Sequence, residues 1–332
     1  MAKNVTMSEI AKDLGISTVS VSKAITGKDG VSDKVREMIL KRADELGYVY
    51  NKSDKDGRPH YVGILVGEHF LGDESYYTKL YQKTLLMLSE KGQMGFLEIV
   101  KREDEDGLKT PQLITNNQVD AIIVLGQMKR DYLKLLKKSE IPLLYMDFYD
   151  EEVREDAVVS DSVYGAAILT NYLINMGHKD IAFVGSIKST SSIMDRYMGY
   201  LKAMIKAGLE TPSHWLIEDR DEGGMGIEIK LPKKMPSAFV CNSDATAFEL
   251  VRKLQSEGYK IPEDVSVVGF DNYIYSEISN PKITTYGVDT DALLSNVVTT
   301  IVNKIEDKDY AIGRIVVEGD MVERQSVGRK EV

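Results

Sequence analysis

The stretch TMSEIAKDLGISTVSVSKAIT, from Thr6 to Thr26, decides how the rest of the chain is read. Thr6 followed three residues later by Glu9 is a capping box. Ile10, Ala11 and Leu14 then recur at helical spacing until Gly15 stops the helix. Ser17 caps a second helix, Thr18 to Ile25, which turns Val21 and Ile25 inward and leaves Thr18, Val19, Ser22 and Lys23 to face outward. A third helix opens at Ser32, carries Val35, Ile39, Ala43 and Leu46 on one face, and ends at Gly47. Two short helices across a tight turn are the shape that lays a helix in a DNA major groove, although helix pairs of this outline also occur with no such role.

The run SVSKAITG within this stretch closely resembles the recognition helix of the lactose-repressor (LacI/GalR) family of bacterial transcription regulators. VTMSEIAKDLGISTVSVSKAIT, then VSDKVREMILKRADELGY and Asn51, follow that family's DNA-binding domain almost position by position. The resemblance implies a helix-turn-helix domain over residues 1–50 whose partner is double-stranded operator DNA. Thr18, Val19 and Lys23 would meet base edges: Lys donates to guanine, while Val19 and the Thr18 methyl pack on a thymine methyl. Thr6, Ser17, Ser20, Ser22, Thr26 and Ser32 would reach phosphates and set the register. One small head buries too little surface for specificity, so a homodimer reading a pseudo-palindrome is expected.

Composition sets the wider limits. The 332 residues are 43% hydrophobic and 28% charged, which is ordinary for soluble globular domains and enough for two or three of them. The net charge of −10 argues against a protein that holds nucleic acid over its whole surface. The first 60 residues carry 11 Lys and Arg against 9 Asp and Glu, so a weakly basic head precedes an acidic body. DNA contact is therefore expected in the head alone, and to weaken with salt as counterions are no longer gained by release. Cys241 is the sole cysteine, which excludes an intrachain disulfide and fits a reducing cytoplasm. The absence of an apolar leader and of any apolar run of about 18 residues gives the same reading, cytoplasmic with no membrane partner.

NKSDKDGRPH, Asn51 to His60, is polar, charged and broken by Gly57 and Pro59, as linkers are. From Tyr61 short apolar runs alternate with amphipathic helices. YVGILVG, GFLEIV, DAIIVLG and IPLLYMD read as strands separated by helices; after Asp161 the pattern repeats with KDIAFVG, SAFVCNSD and VSVVGFD as strands. Strand, helix, strand is the signature of doubly wound parallel sheets, and two such halves imply two lobes with a cleft between them. Ligands of open α/β sheets bind beyond the carboxyl ends of the strands. Here several strands run into polar residues there: Gly67-Glu68, Asp147, Asn242-Ser243-Asp244 and Asp271.

The family resemblance continues through SDSVYGAA, LINMGHKDIAFVG, DRYMGY, DATAFELVRKLQSEGYKIPEDVSVVGFDN, PKITTY and MVERQSV, pieces that resemble the family's effector-binding, periplasmic-binding-protein-like core. It implies an α/β two-lobed effector-binding and dimerisation core over 61–332 behind an N-terminal all-α head. The N-lobe would take about 61–158 and 288–315, and the C-lobe about 159–287 and 316–332. Carried over position by position, Asp147, Arg196 and Asp271 match places that hold effector hydroxyls or carboxylates, a role that suits the planar Arg fork and the accepting Asp. Tyr76 and Tyr77 match an aromatic pair at the cleft mouth, and Glu68, Tyr77, Ser243 and Asp244 complete the expected effector set. Each has a plainer reading as a strand-end cap, an ion-pair partner or a core aromatic.

Two departures stand out. The family's linker carries an apolar wedge, where this chain has Asp54 and Gly57. Between Glu218 and Phe239, EDRDEGGMGIEIKLPKKMPSAF is short and rich in Gly and Pro where the family places a helix. His60, His69, His178 and His214 are scattered without metal-ligand spacing, and the run GGMG does not stand between a strand and a helix. No enzyme activity, metal or cofactor is expected. The reading is a repressor of sugar-utilisation genes controlled by a carbohydrate effector. Dimer is favoured over tetramer, with contacts on lobe faces near the helices beginning at Tyr76 and Thr246. A rival reading is a small-molecule or protein-partner sensor that does not bind DNA by itself. Because a carboxylate and a glycine cannot offset the few kcal/mol that unstacking a base step costs, a circular-permutation assay should give an operator bend smaller than that of a wedge-bearing family member.

Overall fold

The computed structural model describes residues 7–25, 30–46, 59–71, 76–221, 224–307 and 309–330. The expected linker, apart from its last two residues, lies outside that set, as do Thr6, Thr26 and Gly47. The chain divides into two compact units, residues 1–60 and 61–332.

The first unit holds α1 (Met7–Leu14), α2 (Thr18–Ile25) and α3 (Asp33–Glu45). Gly15, at φ +68°, turns the chain out of α1, a conformation that costs glycine nothing. The Ser17 hydroxyl accepts the Ser20 N–H at 3.0 Å, which caps α2 as its sequence suggests. Ile10, Val21 and Ile39 are fully enclosed, with Ala11, Ala24 and Ala43 closing the gaps between the three helices. Arg36 of α3 donates to the carbonyls of Lys23 and Ala24 at 3.3 and 3.1 Å, satisfying acceptors that the end of α2 leaves open.

The second unit begins with β1 (Tyr61–Gly67), a 3-10 turn (Glu68–Phe70), α4 (Tyr76–Glu90) and β2 (Met94–Val100). It continues through α5 (Arg102–Asp106), α6 (Gln112–Thr115), β3 (Ala121–Leu125), α7 (Arg130–Lys137), β4 (Leu143–Met146) and β5 (Ala157–Ser160). The chain then crosses to a second lobe: α8 (Ser162–Asn175), β6 (Ile181–Val184), α9 (Ser191–Lys206), β7 (Leu216–Ile217), β8 (Ala238–Cys241), α10 (Asp244–Ser256), β9 (Ser266–Phe270), α11 (Ile274–Ile278) and β10 (Thr284–Val288). It returns as α12 (Thr290–Glu306) and β11 (Arg314–Val317), and crosses a last time into β12 (Gly319–Val322). One sheet has the order β11-β5-β4-β3-β1-β2 and is parallel throughout. The other has the order β12-β10-β9-β8-β6-β7, with β12 alone antiparallel.

Both sheets are covered on both faces, which is why their central strands read as unbroken apolar runs rather than alternating ones. Along β3, Ala121, Ile123 and Leu125 pack with α4 and with Leu294, Val297 and Ile301 of α12, while Ile122 and Val124 pack with Tyr132, Leu133 and Leu136 of α7. In the second lobe Phe239 and Cys241 of β8 meet Leu250 and Leu254 of α10, and Val240 meets the layer built by α8 and α9. Those two helices touch closely at Gly199, where a Cβ would stand 2.2 Å from the Val163 carbonyl oxygen and 3.0 Å from the Ala166 Cβ. Gly199→Ala should therefore push them apart and lower the stability of the chain by about 1–3 kcal/mol, read as a fall in denaturant midpoint.

Candidate functional site

In the head, α2 presents Thr18 exposed and Ser20 and Lys23 half-buried, with Ser17 exposed just before it and Ser32 exposed ahead of α3. Val19 and Ser22 lie on the α2 backbone, but their side chains, like Thr6 and Thr26, are outside the described set. Ser17 spends its oxygen on capping, and its hydroxyl lies 2.9 Å from that of Ser20.

In the core, a cleft of about 720 Å³ lies between the two lobes, at the carboxyl ends of both sheets. In each sheet the strand order reverses beside its first strand, between β1 and β3 and between β6 and β8. The crevice opens at such reversals because the connecting helices leave to opposite faces. Asp147 follows β4 at φ +67°, and Asp271 follows β9 at φ +104°. Both are in the left-handed region that side chains other than glycine avoid, a strain of roughly 1–3 kcal/mol each that clusters at ligand sites. It aims two carboxylates from opposite lobes at one guanidinium.

That guanidinium belongs to Arg196 on α9, 6% exposed. Its Nη2 meets Asp271 at 3.1 Å, its Nη1 donates to the Asn242 carbonyl at 2.5 Å, and its plane lies 3.9 Å from the Phe270 ring centroid. Its buried Nε–H has no acceptor among the described residues. Asp147 accepts the Tyr77 hydroxyl at 2.8 Å. Burial raises the pKa of Asp147 against the pull of Arg196 and Tyr77. Burial also carries Asp271 to about 7, with Arg196 opposing and the Asp147 charge adding to the rise.

The other expected effector residues divide. Ser243 lines the cleft, yet its oxygen caps α10, accepting the Thr246 N–H at 3.2 Å. Asp244 is buried beside it and accepts from the Tyr273 N–H at 2.7 Å and the Thr285 hydroxyl at 2.6 Å, so its carboxylate holds loops together. Burial and the nearby Asp271 raise its pKa to about 8. Glu68 is not among the cleft-lining residues; exposed on the rim, it accepts the Arg102 N–H at 2.8 Å.

The structure adds a network that sequence reasoning passed over. Asp219 accepts from the Ser186 N–H at 2.8 Å, the Asn242 amide at 2.7 Å, the Thr246 hydroxyl at 2.8 Å and Arg220 at 2.7 Å, all at the strand reversal of the second sheet. Burial alone would raise its pKa, but Arg220 and these donors bring it to about 2. The only sequence signal was an Asp-Arg pair just past a short apolar run. Between β7 and β8 no helix occurs among the described residues. An isolated bridge pairs Arg220 with Gly226, and Gly224, Ile227 and Ile229 line the cleft. Gly224, at φ +79°, would place a Cβ 3.1 Å from His69 of the other lobe. Cross-lobe contacts hold the walls together: the Gln127 side chain accepts the Ser191 N–H at 2.6 Å, the Tyr149 hydroxyl donates to Asp195 at 2.9 Å, and Tyr76 meets Tyr273 edge-on at 5.8 Å.

His178 sits between the Ser237 hydroxyl and the Gly328 carbonyl, and Cys241 is buried in β8 with its thiol pKa raised by that burial. Among the described residues no group of His, Cys, Asp and Glu side chains is arranged to hold a metal, and no helix is long and apolar enough to cross a membrane.

A three-helix head ahead of a two-lobed α/β core with a polar cleft defines the ligand-controlled DNA-binding regulators. Residues 6–51 match the family described as bacterial regulatory proteins, lacI family, and residues 170–327 match the periplasmic binding protein-like domain. The chain thus joins a lacI-family DNA-binding domain to a periplasmic binding protein-like domain. The HTH-type transcriptional repressor PurR of Vibrio campbellii is 28% identical, over 97% of this chain and 98% of its own. The ribose operon repressor of Haemophilus influenzae is 27% identical over the same shares. A transcriptional regulator CelR–cellobiose complex shares the fold at a TM-score of 0.70 and 23% identity, covering 97% of this chain and 100% of that one. So does a lac repressor dimer bound to operator, at 0.67 and 18%, covering 98% and 100%.

The carboxylate at Asp271 sets a pH dependence with a definite sign. With a folded pKa near 7 against about 4 when unfolded, Asp271 holds a proton in the folded state that the unfolded chain has released. Its contribution to stability is therefore present at low pH and lost as pH rises through about 7. In Asp271→Asn the amide does not titrate, so the melting temperature of the variant relative to the unsubstituted chain should climb between pH 5 and pH 8.

Proposed function

We propose that this chain represses transcription by holding operator DNA as a homodimer, and that a carbohydrate in the interlobe cleft sets whether the dimer is competent to bind. The observation that carries the effector reading is the convergence of Asp147, Asp271 and Arg196 on one enclosed space walled by aromatic rings. Carboxylates accept from vicinal hydroxyls and the free Arg196 Nε–H donates to a ring or hydroxyl oxygen, while Tyr76, Tyr77 and Tyr273 offer faces for the apolar side of a sugar. Because the two Asp residues come from opposite lobes, a ligand held by both favours one lobe arrangement. It shifts the DNA-binding equilibrium only by its differential affinity for the two states, typically ~1–3 kcal/mol of coupling.

Exposed Leu86 of α4 and Ile99 of the edge strand β2 lie on the α4 side of the first sheet, and exposed Met94 and Phe96 lie on its other side, so this edge carries apolar surface that supports dimerisation there. Acting on chromosomal DNA, the protein works in the cytoplasm. The test is selection of bound genomic fragments by the full-length protein at two salt concentrations. Recovery of one palindrome, bound less tightly at the higher salt, supports the reading, and failure to enrich any sequence overturns it. Lys23→Ala should lower affinity for the selected operator by roughly tenfold while leaving non-specific DNA binding less affected; equal losses on both would remove Lys23 from base reading.

A further inference from the structure

A second cavity, about 300 Å³, adjoins the main cleft, and His69, Phe70, Thr190, Arg220 and Gly224 line both. The two are compartments of one interlobe space with opposite electrical character. The main compartment is rich in carboxylates, with Asp147, Asp219, Asp244 and Asp271 set against Arg196 and Arg220. The second is lined by Arg102, Lys129 and Arg130 from the first lobe and Lys188 and Arg220 from the second.

Its two carboxylates are already engaged. Glu105 accepts the Lys129 backbone N–H at 2.6 Å, and Asp150 receives Arg130 together with the N–H groups of Glu152 and Val153. Lys129 pairs with Asp106, and Arg220 with Asp219. Among the described residues the Arg102 guanidinium and the Lys188 ammonium have no carboxylate partner. Two helices open on the same space: α7 begins at Arg130 and α9 just after Thr190, so both contribute the positive ends of their dipoles. His69 registers this field. Its pKa is lowered first by burial and then by Arg102, with Arg220 and Lys129 adding to the effect.

We propose that this basic compartment is an anion subsite, and that the effector whose hydroxylated part lies among Asp147, Arg196 and Asp271 carries an acidic group, a phosphate monoester or a carboxylate, that reaches it past Arg220. The hydroxylated half of this statement rests on the carbohydrate reading above; the subsite does not. An anion there is held by cations from both lobes and so adds to the preference for the lobe arrangement that brings both sets of cations to it.

The test uses the full-length protein and Arg102→Gln/Lys188→Gln, whose side chains are exposed and outside the packed core. Inorganic phosphate, added at constant ionic strength, should raise the melting temperature of the unsubstituted protein and not of the double variant. No shift in either, or an equal shift in both, overturns the subsite. Calorimetry then compares neutral sugars with their phosphate esters and uronic acids. An acidic form should bind roughly tenfold or more tighter than its parent sugar, and the double variant should erase that gain while leaving the parent's affinity unchanged. Preference for the phosphate ester or for the uronic acid identifies which anion the site takes. Equal binding of acidic and neutral forms overturns the acidic effector and leaves the carbohydrate reading intact. A phosphate shift lost in the double variant, with no sugar of any form bound, upholds the subsite and removes the carbohydrate reading.

Discussion

Everything in the core is arranged around one electrostatic imbalance. Asp147 from the first lobe and Asp271 from the second face the buried guanidinium of Arg196, whose Nη2 meets Asp271 at 3.1 Å. Burial raises both carboxylates by more than Arg196 lowers them, so both hold their protons more tightly than usual. A ligand that donates hydroxyl hydrogens to the carboxylates and accepts from Arg196 would relieve this imbalance, and it can do so only when the lobes stand close enough for both walls to reach it.

The backbone makes the imbalance durable. Asp147 and Asp271 sit in left-handed conformations at the ends of β4 and β9, held by flanking strands buried on both faces. Around them, polar groups that look functional in isolation are spent on the scaffold. Asp244 ties the Tyr273 and Thr285 loops, Ser243 caps α10, and Asp219 collects donors from Ser186, Asn242, Thr246 and Arg220 at the second sheet's reversal. Buried polar atoms with full hydrogen-bond complements make a rigid wall, whereas the Arg196 Nε–H has no acceptor among the described residues.

The three helices of the head were legible in the sequence, α2 to the residue, while α3 ends at Glu45, one residue short of the Leu46 expected on its face. Their spacing, the Ser17 cap and the Gly15 stop are local, and local rules decide short capped helices. The two parallel sheets were legible for a related reason, because central strands covered on both faces must be continuously apolar. Asp147, Arg196 and Asp271 were found at strand ends and on a helix face, places where sequence pattern and the family resemblance agree. Glu68 was assigned to the cleft from the same strand-end argument, yet it caps the start of α5 on the rim, since a strand end states where a side chain begins and not which neighbour claims it.

The sequence by itself thus determined the helices of the head, the strands β1, β2, β3, β4, β6, β8 and β9, and the alternation of strand and helix that implies two lobes, whereas β5, β7, β10, β11, β12 and α12 were not read from it. Only the tertiary structure decided which charges share a space. The Asp219 network, the stacking of Arg196 on Phe270 and the basic compartment of Arg102 and Lys188 join residues far apart in the chain, brought together where strand order reverses and the lobes meet. Periodicity encodes burial along one element. The pairing of charges between elements depends on distances and desolvation that exist only after the chain has folded.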